Sequence, residues 1–217
     1  GSGTHRPTRE RKPARTVDRT APSVAGGPIR ALAIGGSTGA PQALMRIFGE
    51  LRGQLRCPGV VTQHMPVGFT AILAEQLARV SGHPCREGEH GERVADGRIY
   101  VAPGDHHLMV RQQGPDIVLE LSKAPPENFC RPAGDPMLRS LASAYGGALV
   151  TVILTGMGQD GLKGCAAVKE AGGQVIVQDQ PSSVVWGMPG AVARHGLADR
   201  ELPLDRIAAA VARGCRI

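Results

Sequence analysis

The residues best suited to chemistry follow short apolar runs, and the first of them is Ser37. The segment Gly35-Gly36-Ser37-Thr38-Gly39 has the G-x-S-x-G spacing and lies between an apolar run at 31–34 and a helical pattern that begins at Ala40. Flanking glycines permit a sharp turn that projects the hydroxyl outward, and the free N–H groups that open a helix can stabilise an oxyanion. The pattern predicts a nucleophilic serine, although a plain glycine-rich turn would have the same sequence.

A histidine and several carboxylates follow other apolar runs. In an open parallel sheet, sites gather beyond the carboxyl ends of the strands. His64 follows the run that starts at Val60 and is the candidate general base, while Asp160 lies in a glycine-rich stretch after the strongest run, 149–154. Together with Ser37 they form the residue set of a Ser-His-Asp hydrolase. Three other aspartates are also candidates to orient the histidine, and spacing does not choose among them: Asp105, Asp135 and Asp179.

Nucleotide and metal sites are not favoured. The glycines at 35–39 do not have the G-x-G-x-x-G spacing, Gln63-His64 stands where a dinucleotide site would need an acid, and no P-loop is present. The five cysteines are widely spaced without C-x-x-C, and no H-E-x-x-H occurs. The neighbouring His106 and His107 would point to opposite faces of a strand. We therefore expect no metal and no cofactor.

From residue 30 onward, short apolar runs alternate with helical patterns. This alternation predicts an α/β fold, a three-layer sandwich with a mainly parallel, doubly wound sheet and an antiparallel β-hairpin. The predicted strands are 31–34, 60–61, 99–101, 149–154 and 175–177, with hairpin strands at 107–111 and 117–121. The predicted helices are 40–51, 69–80, 138–145, 162–171 and 204–212.

Residues 1–29 differ from the rest of the chain. They are rich in proline and nearly free of large apolar residues, which predicts a flexible linker or an added tail before a folded catalytic domain at 30–217. Of the net charge of +6, this segment carries +4. Because the remainder is nearly neutral and aromatic residues are only 3% of the chain, nucleic-acid binding is not favoured. No apolar run is long enough to span a bilayer, so we expect no membrane insertion and a cytoplasmic location.

Three segments, in this order, resemble the catalytic-domain signatures of the CheB family of chemotaxis receptor methylesterases. They are Ala33-Ile34-Gly35-Gly36-Ser37-Thr38-Gly39, Thr62-Gln63-His64-Met65-Pro66 and Leu154-Thr155-Gly156-Met157-Gly158-Gln159-Asp160-Gly161. Shorter matches support them at 100–105, 128–135 and 185–189, so the resemblance covers about residues 30–200.

The resemblance implies an activity and a set of roles. The family hydrolyses glutamate γ-methyl esters on methyl-accepting chemoreceptors, and many members also deamidate receptor glutamines. Carried over by motif, Ser37 is the nucleophile, His64 the base and Asp160 the orienting carboxylate, with the backbone N–H groups of Thr38 and Met157 at the oxyanion. The implied partners are the cytoplasmic helices of chemoreceptors and a phosphorylatable receiver domain, in the same chain or separate.

The sequence departs from the family pattern at two places. The family commonly has Ala before the serine and two glycines after the threonine, where this chain has Gly36 and Gly39-Ala40. Ala133-Gly134 replaces a common Ser-Val after Arg131-Pro132, which predicts a looser loop there.

A separate set of residues is predicted to contact the substrate. Their place among the family-like motifs predicts Arg131, Trp186 and Met188 as substrate-binding residues. An alternative hypothesis is a catalytically silent domain that binds receptors or other partners. A pure binding domain has no need of Ser37, His64 and Asp160 together, so the hydrolase is favoured.

Overall fold

A computed structural model describes residues 28–214, and the predicted linker at 1–29 therefore lies almost wholly outside the described residues. The strands are β1 (Ala31–Gly36), β2 (Gly59–Gln63), β3 (Cys85–Glu87), β4 (Ile99–Val101), β5 (His107–Gln113), β6 (Asp116–Ser122), β7 (Leu149–Ile153), β8 (Gln174–Gln178) and β9 (Arg200–Leu202). The helices are α1 (Ala40–Glu50), α2 (Phe69–Ser81), α3 (Gly134–Tyr145), α4 (Leu162–Glu170), α5 (Met188–Arg194) and α6 (Leu204–Gly214).

Seven of these strands form one sheet in the order β3-β4-β2-β1-β7-β8-β9, and every neighbouring pair is parallel. After β1 the chain builds one half of the sheet, then returns to β7 on the other side of β1 and builds the second half. The strand order therefore reverses beside β1, which is where open α/β sheets bind ligands. Strands β5 and β6 pair antiparallel as a separate hairpin.

The two faces of the sheet are covered by different helices, as β1 illustrates. Leu32 and Ile34 point into a core shared with α1, α2 and α6. Ala31 and Ala33 point into a second core shared with α3, α4, α5 and the hairpin. Successive residues of a strand face opposite sides, so the fully apolar sequence of β1 follows from burial on both faces. The predicted three-layer sandwich is confirmed.

The strands and helices with continuous apolar or periodic patterns were all expected from the sequence, while three elements were not. The edge strands β3 and β9 have only three residues each, and the short α5 begins within a Met-Pro-Gly segment. The hairpin pairs its strands as expected but stands apart from the main sheet. In the part of the chain that the structure describes, no helix is long and apolar enough to cross a membrane.

Candidate active site

Ser37 lies in the turn between the central strand β1 and helix α1. Its N–H donates to the Thr155 carbonyl at 3.0 Å, and its carbonyl accepts the N–H of Ala40 at 3.0 Å. Gly39 has a φ of +81°, a left-handed conformation that glycine adopts at little cost. These contacts hold the serine at the carboxyl end of the sheet, half-buried at the point where the strand order reverses.

The loop after β7 lies directly against this turn. A Cβ on Gly156 would come within 2.7 Å of the Ser37 Cβ and 2.5 Å of the Met188 Sδ, so only glycine permits this approach. The Thr155 hydroxyl donates to the Thr38 carbonyl at 2.9 Å and ties the two loops together. Among the described residues, the N–H groups of Thr38 and Met157 have no hydrogen-bond partner, which leaves two donors beside the serine.

Gln63 and His64, at the end of β2, lie on the other side of the serine turn. The Gln63 Nε2 donates to the Ser37 carbonyl at 2.9 Å and to the His64 carbonyl at 3.3 Å. The His64 N–H donates to the Gly36 carbonyl at 3.2 Å. Ser37 and His64 line one groove of about 490 Å³. Within the described structure, the Ser37 hydroxyl has no hydrogen bond to the imidazole.

The Asp160 carboxylate holds the imidazole from the far side. His64 Nε2 lies 2.6 Å from its Oδ2, which also accepts the Gly134 N–H at 2.6 Å. Its Oδ1 accepts the Asn128 side-chain amide at 2.9 Å, the Gly161 N–H at 3.0 Å and the Asp135 N–H at 3.1 Å. The side chain is only 1% exposed.

Five donors around one buried carboxylate favour its charged form. Burial acts to raise the pKa of Asp160, but the hydrogen bonds from His64, Gly134 and Asp135 outweigh burial and leave the pKa below its ordinary value. Gly134 and Asp135 open helix α3, so this carboxylate also occupies the positive end of the α3 dipole. The site therefore contains a fixed negative charge in contact with the imidazole.

Cys130 contacts the second nitrogen of the imidazole. Its Sγ lies 3.4 Å from His64 Nδ1. Burial and the Asp160 charge raise the pKa of this thiol, so it remains protonated and can donate to Nδ1. With the thiol donating to Nδ1 and Asp160 accepting from Nε2, the neutral imidazole carries its proton on Nε2. Nδ1 is therefore the nitrogen able to accept a proton.

Asn128 and Cys130 reach the site from one tight turn. Glu127 and Cys130 exchange backbone hydrogen bonds of 3.1 and 2.9 Å, and the two residues between them, Asn128 and Phe129, have φ values of +51° and +64°. Positive φ at both central positions is the type I′ geometry, in which asparagine is favoured. The Asn128 amide then lies between two carboxylates, 2.9 Å from Asp160 Oδ1 and 2.9 Å from Asp135 Oδ2.

The three other candidate aspartates bind groups other than His64. Asp105 accepts from Arg131, and Asp179 accepts from the backbone and hydroxyl of Ser182. Asp135 is 1% exposed and accepts the Gly164 N–H at 2.7 Å. In residues 28–214, no cluster of three or more His, Cys, Asp and Glu side chains could hold a metal ion.

Arg131 lines a second hollow beside His64, of about 300 Å³, but its guanidinium is already occupied. Its Nε and Nη2 donate to Asp105 at 3.1 and 2.5 Å, and its Nη1 donates to the carbonyls of Lys123 and Ala124. The Arg131 bond lowers the pKa of Asp105. Arg131 thus joins the end of the hairpin to the Asp105 loop, and the structure gives it this supporting contact rather than a free charge.

Trp186 and Met188 lie beside the Gly156 loop. The Trp186 indole N–H donates to the Gln178 carbonyl at 3.0 Å, and the Arg194 guanidinium stacks on the ring at 5.5 Å. Met188 is 1% exposed. The structure therefore places these two predicted substrate-binding residues against the Gly156 loop, with Trp186 half-buried and Met188 buried.

Comparison with known proteins connects this arrangement to one family. Residues 32–211 match the family model described as CheB methylesterase. The chain belongs to the CheB methylesterase family. It is 42% identical to the solved structure titled CheB methylesterase catalytic domain from Thermotoga maritima, with a TM-score of 0.83 over 85% of this chain and 98% of that one.

Two curated CheB relatives are named protein-glutamate methylesterase/protein-glutamine glutaminase. The protein numbered 1 from Paramagnetospirillum magneticum is 58% identical over 178 residues, which are 82% of this chain and 47% of that protein. The protein from Azospirillum brasilense is 52% identical over 202 residues, 91% of this chain and 51% of that protein. The chain thus spans about half the length of these relatives.

The structure explains one departure from the common CheB pattern. A Cβ on Gly36 would lie 2.4 Å from the Cβ of Ala40, so only one of these two positions has room for a methyl group. Where the common pattern has that methyl before the serine, this chain carries it at position 40. The second departure does not produce a loose loop. Ala133 and Gly134 are buried, and their N–H groups donate to His107 Nδ1 and Asp160 Oδ2.

Sequence reasoning missed the groups that contact Ser37, His64 and Asp160. The sequence uses Gln63 only to argue against a dinucleotide site, and it offers Asp135 only as a rival carboxylate. Asn128 and Cys130 belong to a family-like stretch but were given no role. Only the paired Asn-Phe turn before Cys130 carries a local signal, since asparagine favours positive φ.

Proposed function

We propose that this chain is a serine esterase that hydrolyses glutamate γ-methyl esters of chemoreceptors, through a triad of Ser37, His64 and Asp160. The observation that carries the proposal is the 2.6 Å contact between His64 Nε2 and a buried, five-fold hydrogen-bonded Asp160 carboxylate, beside a serine in a strand-to-helix turn. An imidazole held by a fixed carboxylate is the arrangement that activates a serine hydroxyl.

The first half of the reaction forms an acyl-enzyme. The Ser37 Oγ bonds to the ester carbonyl carbon while its proton passes to His64 Nδ1, after the hydroxyl displaces the Cys130 thiol from that nitrogen. Catalytic hydrogen bonds often close only when substrate is bound, which is consistent with the open serine in this structure. Asp160 stabilises the imidazolium and keeps its Nε2–H oriented. The C–O bond to the methoxy group then breaks, and Nδ1–H protonates the leaving oxygen to give methanol.

The second half releases glutamate. Water attacks the acyl carbon as His64 Nδ1 takes its proton, and the same proton returns to the Ser37 Oγ as the acyl bond breaks. In both halves we assign the unpartnered N–H groups of Thr38 and Met157 to the oxyanion, where each such donor contributes about 2.7–4 kcal/mol to transition-state stability. The same steps applied to a glutamine side chain release ammonia, which agrees with the glutaminase in the relatives' names.

Membership of the family supports a substrate and a mode of regulation. We propose that residues 30–217 act as the catalytic domain on cytoplasmic helices of methyl-accepting chemoreceptors, and that a receiver domain, in the same chain or separate, regulates access. The groove at Ser37 supports this substrate because it is open, with the exposed side chain of Phe69 at its rim. Arg131, Trp186 and Met188 are proposed to shape the walls of the substrate site through the contacts described above.

The test is methanol release from a methylated chemoreceptor fragment, with wild type beside Ser37→Ala. We expect release by wild type alone, with both proteins equally stable to heat. A serine-reactive fluorophosphonate provides an independent measurement and should label only the wild type. Methanol release by Ser37→Ala would exclude this nucleophile, and a folded wild type that neither releases methanol nor takes the label would favour a binding domain instead.

A further inference from the structure

Two buried carboxylates lie side by side behind the imidazole, and only one of them contacts it. Asp135 and Asp160 are each 1% exposed. Both lie 2.9 Å from the same nitrogen, Asn128 Nδ2, so their facing oxygens cannot be further apart than twice that distance. Like charges this close in a buried place repel strongly unless a donor lies between them.

We propose that Asn128 is a positioning residue whose side-chain amide, shared between Asp135 and Asp160, lets both carboxylates remain charged and keeps the Asp160 charge directed at His64. This inference rests on the proposed role of Asp160 in the triad. Asn128 does not touch His64 or Ser37 and acts through Asp160 alone.

The position of Asn128 is fixed independently of the carboxylates. The type I′ turn sets its backbone, and Glu127, the preceding residue, binds Arg139 of α3 through two hydrogen bonds of 3.0 and 2.5 Å. The two N–H donors of a primary amide diverge, so one Nδ2 can serve both oxygens at once. A hydroxyl has one proton to donate and cannot replace it.

The remaining donors around the two carboxylates do not bridge them. Asp135 Oδ1 accepts the Gly164 N–H, and Asp160 accepts backbone N–H groups and His64. The other titratable or charged groups that influence the pair are Cys130, Cys165 and Arg139, of which Arg139 is already paired with Glu127. Burial raises the pKa of Asp135 and the Asp160 charge raises it further, while Gly164 and Asn128 oppose both. Loss of Asn128 therefore leaves a pair that takes up a proton.

The consequence of losing the bridge depends on pH in two opposite ways. In Asn128→Ala the two carboxylates share a proton at acid pH. This proton neutralises part of the Asp160 charge that faces His64, so activity falls most at the acid end. At higher pH both carboxylates are charged and repel, so the folded state loses most stability there. The sign follows from linkage, because a carboxyl group whose folded-state pKa is raised destabilises the fold as pH rises through that pKa.

The experiment compares wild type, Asn128→Ala and Asn128→Ala/Asp135→Asn, measuring thermal unfolding and methanol release at about pH 5 and about pH 8. For Asn128→Ala we expect kcat to fall about ten- to a hundred-fold, by analogy with the groups that orient metal-ligating side chains, with the larger loss at the acid end. Its Tm should fall more at the alkaline end. The double variant lacks one of the two charges and should recover most of both losses.

A merely structural role gives a different result. A cavity alone would lower Tm and kcat equally at both pH values, and Asp135→Asn would not restore either, so that outcome overturns the proposal. If Asn128→Ala does not fold at the alkaline pH, the proposal requires that it fold at the acid pH and that the double variant fold at both.

The unfolding data also separate this inference from the proposed function. They need no activity, so an inactive wild type with the expected pH-dependent Tm shifts would refute the esterase and retain the bridge. An active wild type with pH-independent shifts would do the reverse.

Discussion

Asp160→Asn exchanges one carboxylate oxygen for an amide nitrogen at almost constant volume, and the surrounding donors decide which oxygen is replaced. Oδ1 accepts three hydrogen bonds and Oδ2 accepts two. An NH₂ group repels N–H donors, so it should take the Oδ2 position and face His64 Nε2 and the Gly134 N–H. The amide then donates to Nε2, and the imidazole must move its proton to Nδ1, where it can no longer accept one.

Two magnitudes follow. The wrong tautomer is expected to lower kcat about 10⁴-fold, as in serine proteases, which corresponds to about 5 kcal/mol of barrier. The Gly134 N–H loses its acceptor while buried, at a cost of about 1–3 kcal/mol of unfolding free energy. For a chain of this size, each kcal/mol lowers Tm by about 2–4 °C.

The stability difference should also depend on pH. Because the folded pKa of Asp160 is lowered, its carboxylate stabilises the fold above the ordinary aspartate pKa, and this contribution is lost as pH falls through the folded value. The Tm difference between wild type and Asp160→Asn should therefore be constant above about pH 4 and should shrink only as pH falls further below that value. A difference that persists unchanged at still lower pH, where the wild type remains folded, would mean that the charge of Asp160 is not what stabilises the wild type.

Methanol release from a methylated receptor fragment measures kcat, and calorimetry measures Tm. Gln159→Asn, at the neighbouring position on the same loop, controls for a general effect of substitution there. The reasoning is refuted if Asp160→Asn keeps kcat within about tenfold of wild type, since a tautomer change cannot be that mild.

Three further predictions concern neighbouring residues. Gly36→Ala should lower unfolding free energy by about 1–3 kcal/mol through overpacking, and Gly36→Ala/Ala40→Gly should restore it in the same melting experiment. Gln63→Glu should lower kcat with little change in KM. Gln63 donates to the Ser37 carbonyl, and because the Ser37–Thr38 peptide is planar, loss of that hydrogen bond also changes the direction of the Thr38 N–H. A rise in KM alone would contradict this. Cys130→Ala should retain activity, because in the proposed reaction the Ser37 hydroxyl displaces this thiol from His64 Nδ1. The variant should also resist inactivation by iodoacetamide, which should inactivate wild type faster as pH rises; equal inactivation of both would be a contrary result.

The order and type of the central elements were predictable because burial on both faces leaves an unmistakable pattern. The run from Ala31 to Ile34 has no polar residue, and the helix after it repeats apolar residues every three or four positions. Strands β3 and β9 have three residues each at the sheet edges and no such pattern. Helix α5 contains Gly190, a residue that helix propensity disfavours. The glycine is required there because a Cβ would lie 2.7 Å from the Trp186 ring.

The candidate site was predictable in part for the same reason. Strand ends that share one edge of a parallel sheet must come together, so Ser37, His64 and Asp160 were placed as neighbours by topology alone. The choice of Asp160 over Asp135 depends on which side chain points toward the imidazole. No local sequence pattern encodes that orientation. The contacts of Asn128 and Cys130 depend on how the turn at 127–130 packs against α3, which is likewise a property of the whole fold.

The Asp160 carboxylate caps helix α3, so it stabilises the fold independently of any role in catalysis. Removing it would leave the amides that open a helix of the second core without their acceptor, whereas the Ser37 hydroxyl makes no hydrogen bond to any residue in 28–214. A descendant that lost its catalytic activity would therefore be free to change the serine while selection for stability retained the aspartate. In such a lineage, an aspartate at this position is evidence of an inherited fold, and only the serine is evidence of a working enzyme.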